Sequence, residues 1–338
     1  MQTIEWDIFE TYNYIIHYVR YRKNQFLRFV IKKDYWAMPK VVGGKILLST
    51  KKTNDIIGKA IEKGDAFWVG RFGGTEMNMI YTVLKHRFHE DKDEREEGVK
   101  KLCELSGFFP NDVYLGEKFV DMMLRDCQEI DLEGKWRRYM EDYIYVKYQK
   151  NTKLTQLFHL EPWNMYRYKC TKVKPWSAFL KGKRVLVIHP FVESIQVQYN
   201  NNREKIFSRI YDADDILPEF ELITLKAVQT LGGEKDSRFQ TWFEALDWMI
   251  RECKYIDFDV AIIGCGAYGY PLAAEIKKMG KVAIHLGGAT QILFGIIGAR
   301  WEEENPQFCR DVVNEYWVRP KKTERIENAQ SVENGCYW

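Results

Sequence analysis

The chain has 338 residues, with 51 Lys and Arg against 48 Asp and Glu and a formal net charge of +3. That length can build one large domain or two modest ones, and the balanced charge makes no electrostatic case for a nucleic-acid partner. Seven cysteines are scattered without a C-x-x-C pair, acids in MQTIEWDIFETYNY stand where a signal peptide needs bases, and no apolar run nears the roughly 20 residues of a membrane span, so reduced thiols in a cytoplasmic protein are expected.

Residues 8 to 63 read as mostly helical, with a short extended piece at 41–48 around Gly43-Gly44. Within them Tyr14–Lys33 is aromatic and basic. It suits an anionic surface at the inner face of a membrane, and equally an ordinary helix whose apolar stripe packs on the domain. The first clear strand is Ala66–Gly70, followed by a helical pattern through Met77, Ile80, Tyr81 and Leu84. Lys85–Lys101 is a charge run, most simply a solvated face. In it His86 and His89 stand three apart with Glu90 and Asp91 nearby, a spacing that can bind metal.

Helices are expected over Glu94–Ser106 and Leu115–Glu129. Residues 131–180, punctuated by Pro162 and Pro175, read either as an insertion over a site or as plain connection. Strand Val185–Ile188, helix Val192–Ser208, strand Leu222–Leu225 and helix Arg238–Cys253 follow. Two further strands, Val260–Ile263 and Val282–Leu286, each stop at glycines. Five short apolar strands alternating with helices predict an α/β fold: a Rossmann-like, mostly parallel sheet with helices on both faces. The simplest division is a helical N-terminal segment, 1–60, and one domain, 61–338.

Ligands of open parallel sheets bind at the carboxyl ends of the strands. The residues there are Arg71, Gly73, Gly74 and Glu76; His189, Phe191, Glu193 and Ser194; Lys226 and Gln229; Gly264, Gly266, Tyr268 and Gly269; and His285, Gly287, Gly288, Thr290 and Gln291. Glycines at a strand-to-helix turn let a phosphate approach the backbone, and the next helix start supplies N–H groups and a positive dipole end. Gly264–Gly269 fits G-x-G-x-x-G, but the strand ending at His285 lacks the acid that would hold the ribose of NAD. Arg71 can grip a diphosphate through its fork, and Glu76 can hold a cation or sugar hydroxyls; alternatively the two form a local ion pair. Glu193 can serve as general base or merely complement a helix dipole. His189 and His285 read as core or ligand-facing histidines rather than metal ligands.

The strings RFGGTE, VLVIHPFVES, LKAVQTLGG, FQTWFEAL, GCGAYGYPLAAEIKKMGK, HLGGATQILFGIIGARW and ENGCYW resemble bacterial GT-D fold glycosyltransferases. That group was long known only as a domain of unknown function and occurs in surface polysaccharide and adhesin glycosylation loci. The resemblance spans roughly residues 60–338. It implies a nucleotide-diphosphate sugar donor, such as a UDP-sugar, and transfer to a hydroxyl of a glycan or glycoprotein acceptor. It further implies a D-x-E motif with Mn2+ or Mg2+ at the turn matching Gly74-Thr75-Glu76. Here Glu76 is kept as a potential metal ligand, while Gly74 stands where the Asp would be. Two competing expectations are a nucleotide-sugar binding module without turnover and an NAD-type oxidoreductase.

Overall fold

A computed structural model describes residues 2–31, 41–42, 44–89, 93–135, 141–164, 173–210, 216–332 and 334–338. Its centre is a sheet of seven strands, all parallel. In chain order, after a small hairpin of β1 (Val41–Val42) and β2 (Lys45–Ile46), these are β3 (Phe67–Gly70), β4 (Leu132–Lys135), β5 (Lys153–Gln156), β6 (Arg184–His189), β7 (Glu221–Lys226), β8 (Val260–Ile263) and β9 (Val282–His285). Their spatial order is β5-β4-β3-β9-β8-β6-β7.

The alternation of side chains along each strand sorts them onto two faces. Trp68, Leu186, Ile188, Ala261, Ile263 and Ala283 enter one core. Val69, Val185, Val187, Val260, Ile262, Val282 and Ile284 enter the other. The first core is covered by α3 (Gly74–His89), α4 (Arg95–Ser106), α5 (Val113–Asp126), α8 (Trp242–Tyr255) and α9 (Gly269–Lys278); the second is covered by α2 (Thr50–Lys63) and α7 (Val192–Ile206). Helix α1 (Gln2–Ile31) contributes Trp6 to the first core, and α2 gives Ile57 and Ile61 to the second.

Three sequence expectations need correction. The undecided region 131–180 holds two strands of the main sheet, β4 and β5, joined by α6 (Glu141–Lys147). The helix expected from Arg238 begins at Trp242, because the Thr241 side chain caps it by accepting from Glu244 N–H. The helix start expected after the Gly287-Gly288 turn opens only a single turn, α10 (Thr290–Leu293), and the chain then bends at Gly295 with φ of +67°. A helix that short has little dipole to offer an anion.

From β6 the chain runs outward to β7 over one face, whereas from β8 it runs to β9 over the other. The two connections diverge, which opens a crevice at the carboxyl ends of β6 and β8.

Candidate active site

A cavity of about 500 Å³ opens at this crevice, a size suited to a small-molecule ligand. One wall is made by the turns after β3, β6, β7, β8 and β9. The end of α4, Leu105 to Gly107, closes one side. The opposite wall comes from far along the chain: Arg300, Glu303 and Glu304, then Asn334, Cys336 and Tyr337.

The Arg71–Gly73 turn is built from below. Phe72 N–H donates to the Glu133 carboxylate of β4 at 2.9 Å, and the Phe72 ring stacks on Tyr270 at 4.4 Å. Glu133 also accepts from the Tyr270 hydroxyl at 2.8 Å and Gln149 Nε2 at 3.1 Å. It is fully buried, and burial pushes its pKa up to about 8. This network fixes where β3 ends and α3 begins, so it positions both Arg71 and Glu76.

Two glycines are required by close approach. A Cβ on Gly73 would stand 1.7 Å from Glu76 Oε2. Only glycine lets the Glu76 carboxylate fold back over the turn. A Cβ on Gly287, whose φ is +61°, would meet Arg71 Nη2 at 2.3 Å. The guanidinium therefore lies flat on the β9 turn. Arg71 and Glu76 are thus brought together from one turn, with Glu76 buried. Burial lowers the Arg71 pKa, opposed first by the Glu76 charge and then by Tyr337, while Arg300 adds to the lowering. An Arg stays cationic through such shifts, so the cavity holds two cations facing carboxylates.

Of the other sequence candidates, Gly74, His189, Gln229, Gly264, Gly266, Tyr268, His285, Gly288 and Gln291 line the cavity, while Gly269 and Thr290 lie behind the lining. The His285 ring packs on Gly269, and a Cβ there would come within 2.4 Å of Nε2. Burial pushes the pKa of both His189 and His285 down to about 3, with the Arg71 charge adding at His285. Both rings are neutral near pH 7. His189 Nδ1 accepts from Phe191 N–H at 3.0 Å. Tyr268 stacks on Trp242 at 4.9 Å. Thr290 donates to Ile263 O at 3.1 Å, and Gln291 Nε2 donates to Ile296 O and Tyr337 O, each at 3.2 Å. Gln291 thereby ties the C-terminal segment to the cavity. Gln229 is different: among the described residues its buried Nε2 has no hydrogen-bond partner. A buried donor in a cavity wall costs free energy until something accepts from it.

Glu193 is not brought into the cavity. Its side chain faces Thr323 and forms a 3.5 Å pair with Lys321. The N-terminus of α7 is capped by Glu324, which accepts from Glu193 N–H at 2.8 Å and Ser194 N–H at 3.3 Å. Lys226, on the strand end of β7, is exposed and also outside the lining.

The far wall was missed from sequence. Arg300 sits over the Tyr337 ring, its guanidinium carbon 4.9 Å from the centroid, and donates to the Tyr337 hydroxyl at 3.3 Å. Tyr337 in turn rests on Gly288. Arg300 N–H donates to Cys336 O at 3.1 Å, which joins the two segments of this wall. In the sequence, no motif marks Arg300, Glu303 or Glu304 as part of a site.

The metal expectations fare differently at two places. Glu90 and Asp91 lie outside the described residues. His89 turns toward α1, where its ligand atoms and those of Asp7 and Glu10 lie within 4.8 Å of one another, and His89 Nε2 is 2.8 Å from Asp7. In the cavity, no three His, Cys, Asp or Glu side chains converge among the described residues.

No family model and no curated protein matches the chain. Two solved structures of domain of unknown function 1792 are similar to it, one a selenomethionine-substituted form and one described as having a distinct glycosyltransferase fold. Each is 13% identical, covers 75% of this chain and 84% of its own, and superposes with a TM-score of 0.41. The description agrees with the resemblance seen in the sequence, but likeness at that level assigns no activity.

Proposed function

We propose that the chain is a glycosyltransferase that moves a sugar from a nucleotide-diphosphate donor, such as a UDP-sugar, to an acceptor hydroxyl of a surface glycan or glycoprotein. The observation that carries this is the gathering of Arg71, Arg300, Glu76, Glu303 and Glu304 around one strand-end cavity. Transfer breaks the bond from the anomeric carbon to the diphosphate, which leaves with the electron pair, and forms a bond to the acceptor oxygen. Three demands follow: neutralise the leaving diphosphate, orient the sugar and take the acceptor proton.

Arg71, flat on Gly287, and Arg300, backed by Tyr337, meet the first demand with preset positive charge. Gln229 Nε2 meets the second by donating to a donor oxygen. Glu76, Glu303 and Glu304 are the carboxylates placed to take the proton, a role that Glu193 cannot fill from outside the cavity. A Mg2+ or Mn2+ ion, with Gly74 in place of an Asp, would be held by Glu76 and the diphosphate oxygens rather than by a protein cage. It would add charge neutralisation to what the arginines supply. The NAD alternative has little support, since β9 ends in buried His285 and Gly266 is pressed against Ser106 O, 2.8 Å from its notional Cβ.

The test is thermal stabilisation by nucleoside diphosphates and nucleotide-sugars, with and without manganese, followed by transfer assays. A shift with UDP or a related diphosphate is expected; none with any of them would sink the proposal. Glu76→Gln should slow transfer about a hundredfold while nucleotide binding is kept. Binding with neither transfer nor donor hydrolysis would mark a binding module instead.

A further inference from the structure

Helix α1 has two different faces. On its inner face Trp6 is fully buried, stacked with Phe88 at 5.3 Å and edge-on to Tyr143 at 4.8 Å. The acids of its first third are engaged with the body: Glu5 with Lys147, Asp7 with His89, and Glu10 with the Tyr81 hydroxyl. The outer face carries Ile4, Ile8, Tyr12, Ile15, Val19 and Phe26, each between 53% and 65% exposed.

These six are not scattered. At about 100° per residue they fall within an arc of roughly 80°, a stripe about 33 Å long. Single exposed apolar residues need no explanation, whereas an aligned stripe does. Charge decides what it fits. From Thr11 to Ile31 the sequence contains Arg20, Arg22, Lys23 and Arg28 and no Asp or Glu. Arg22 and Lys23 are exposed beside Phe26, and Tyr14 and Tyr18 flank the stripe. A second copy packed parallel would set like charges together, and packed antiparallel it would bring the bases only to Glu5, Asp7 and Glu10, which are already engaged with the body. An anionic bilayer offers hydrocarbon for the stripe and phosphate for the bases. We propose that the outer face of α1 is a docking surface for anionic lipid, with the helix lying in the headgroup plane. No helix among the described residues is long and apolar enough to cross a membrane. The surface is independent of the chemistry of the cavity.

Flotation of the full chain with vesicles tests this, using phosphatidylcholine alone and phosphatidylcholine with phosphatidylserine, at low and high salt. Binding is expected only with phosphatidylserine, and should fall roughly tenfold or more at high salt. Val19→Glu with Phe26→Glu, and separately Arg22→Glu with Lys23→Glu, should each weaken it at least about tenfold. These are exposed positions, so an unchanged circular dichroism spectrum and melting temperature will show that the fold is kept. No binding by the native chain, or equal binding to neutral vesicles, overturns the proposal. So does a native dimer that Val19→Glu with Phe26→Glu converts to monomer, since a second copy would then cover the stripe.

Discussion

The two walls of the cavity are built by different means. The strand-end wall rests on a parallel sheet whose central strands are buried on both faces, and each of its turns is held from beneath. Glu133 holds Phe72, Gly287 receives Arg71, and Trp242 backs Tyr268. The far wall is a short helix, Ala299–Glu304, and the irregular segment around Tyr337, held by a few bonds from Gln291, Arg300 and Tyr337, with Glu303 and Glu304 exposed at its rim. Preset charge loses little entropy on binding, whereas a side chain on a short, lightly anchored helix must be ordered first. Arg71 should therefore contribute more to binding than Arg300, though both carry one charge.

Arg71→Ala is the sharpest way to break this comparison. It should weaken UDP binding about a hundredfold or more by calorimetric titration, since a charge-assisted pair is lost from a prepared site. Arg300→Ala should cost about tenfold in the same measurement. Equal losses would mean that the far wall is as well prepared as the sheet. Gln229→Ala removes a single neutral donor, and about a fivefold loss is expected; no loss would show that Nε2 does not meet the nucleotide-sugar.

The smallest effect concerns pH and reads the support of the strand-end wall alone. The folded-state pKa of Glu133 is raised to about 8 from an ordinary 4.5, by burial first. A raised carboxyl contributes its full stability below the unfolded pKa and loses it as pH rises through the folded one. Glu133→Gln stays neutral throughout and can still accept from Phe72. Its melting temperature should therefore decline less than that of the native chain as pH rises from about 5 to about 8. Parallel curves would show that Glu133 does not titrate in that window.

The same contrast explains what could be read in advance. Strands β6, β8 and β9 are continuous apolar runs ended by His or Gly, and such runs speak for themselves. Strand β4 does not, because Leu132-Glu133-Gly134-Lys135 has the composition of a loop. It is a strand because tertiary partners satisfy its charges: Tyr270 and Gln149 at Glu133, Glu141 and Asp142 at Lys135. Arg71 and Glu76 were legible as neighbours on one turn. Arg300 was not, since nothing local announces that Tyr337 will seat between it and Gly288. Glu193 was misplaced for a related reason: the group that caps α7, Glu324, arrives from another part of the chain.

Strand order also bears on synthesis. Phe67 of β3 pairs with Val282 of β9, and β8 joins β9 to β6. Strands β3 to β5 and strands β6 to β7 are therefore two separate parcels until β8 and β9 emerge from the ribosome and stitch them together. Such distant pairing is slow and leaves unpaired strand edges open meanwhile. A nascent chain stopped before β8 has no cavity for a nucleotide to fill, so ligand can rescue only a chain that already includes β8, β9 and the segment to Tyr337.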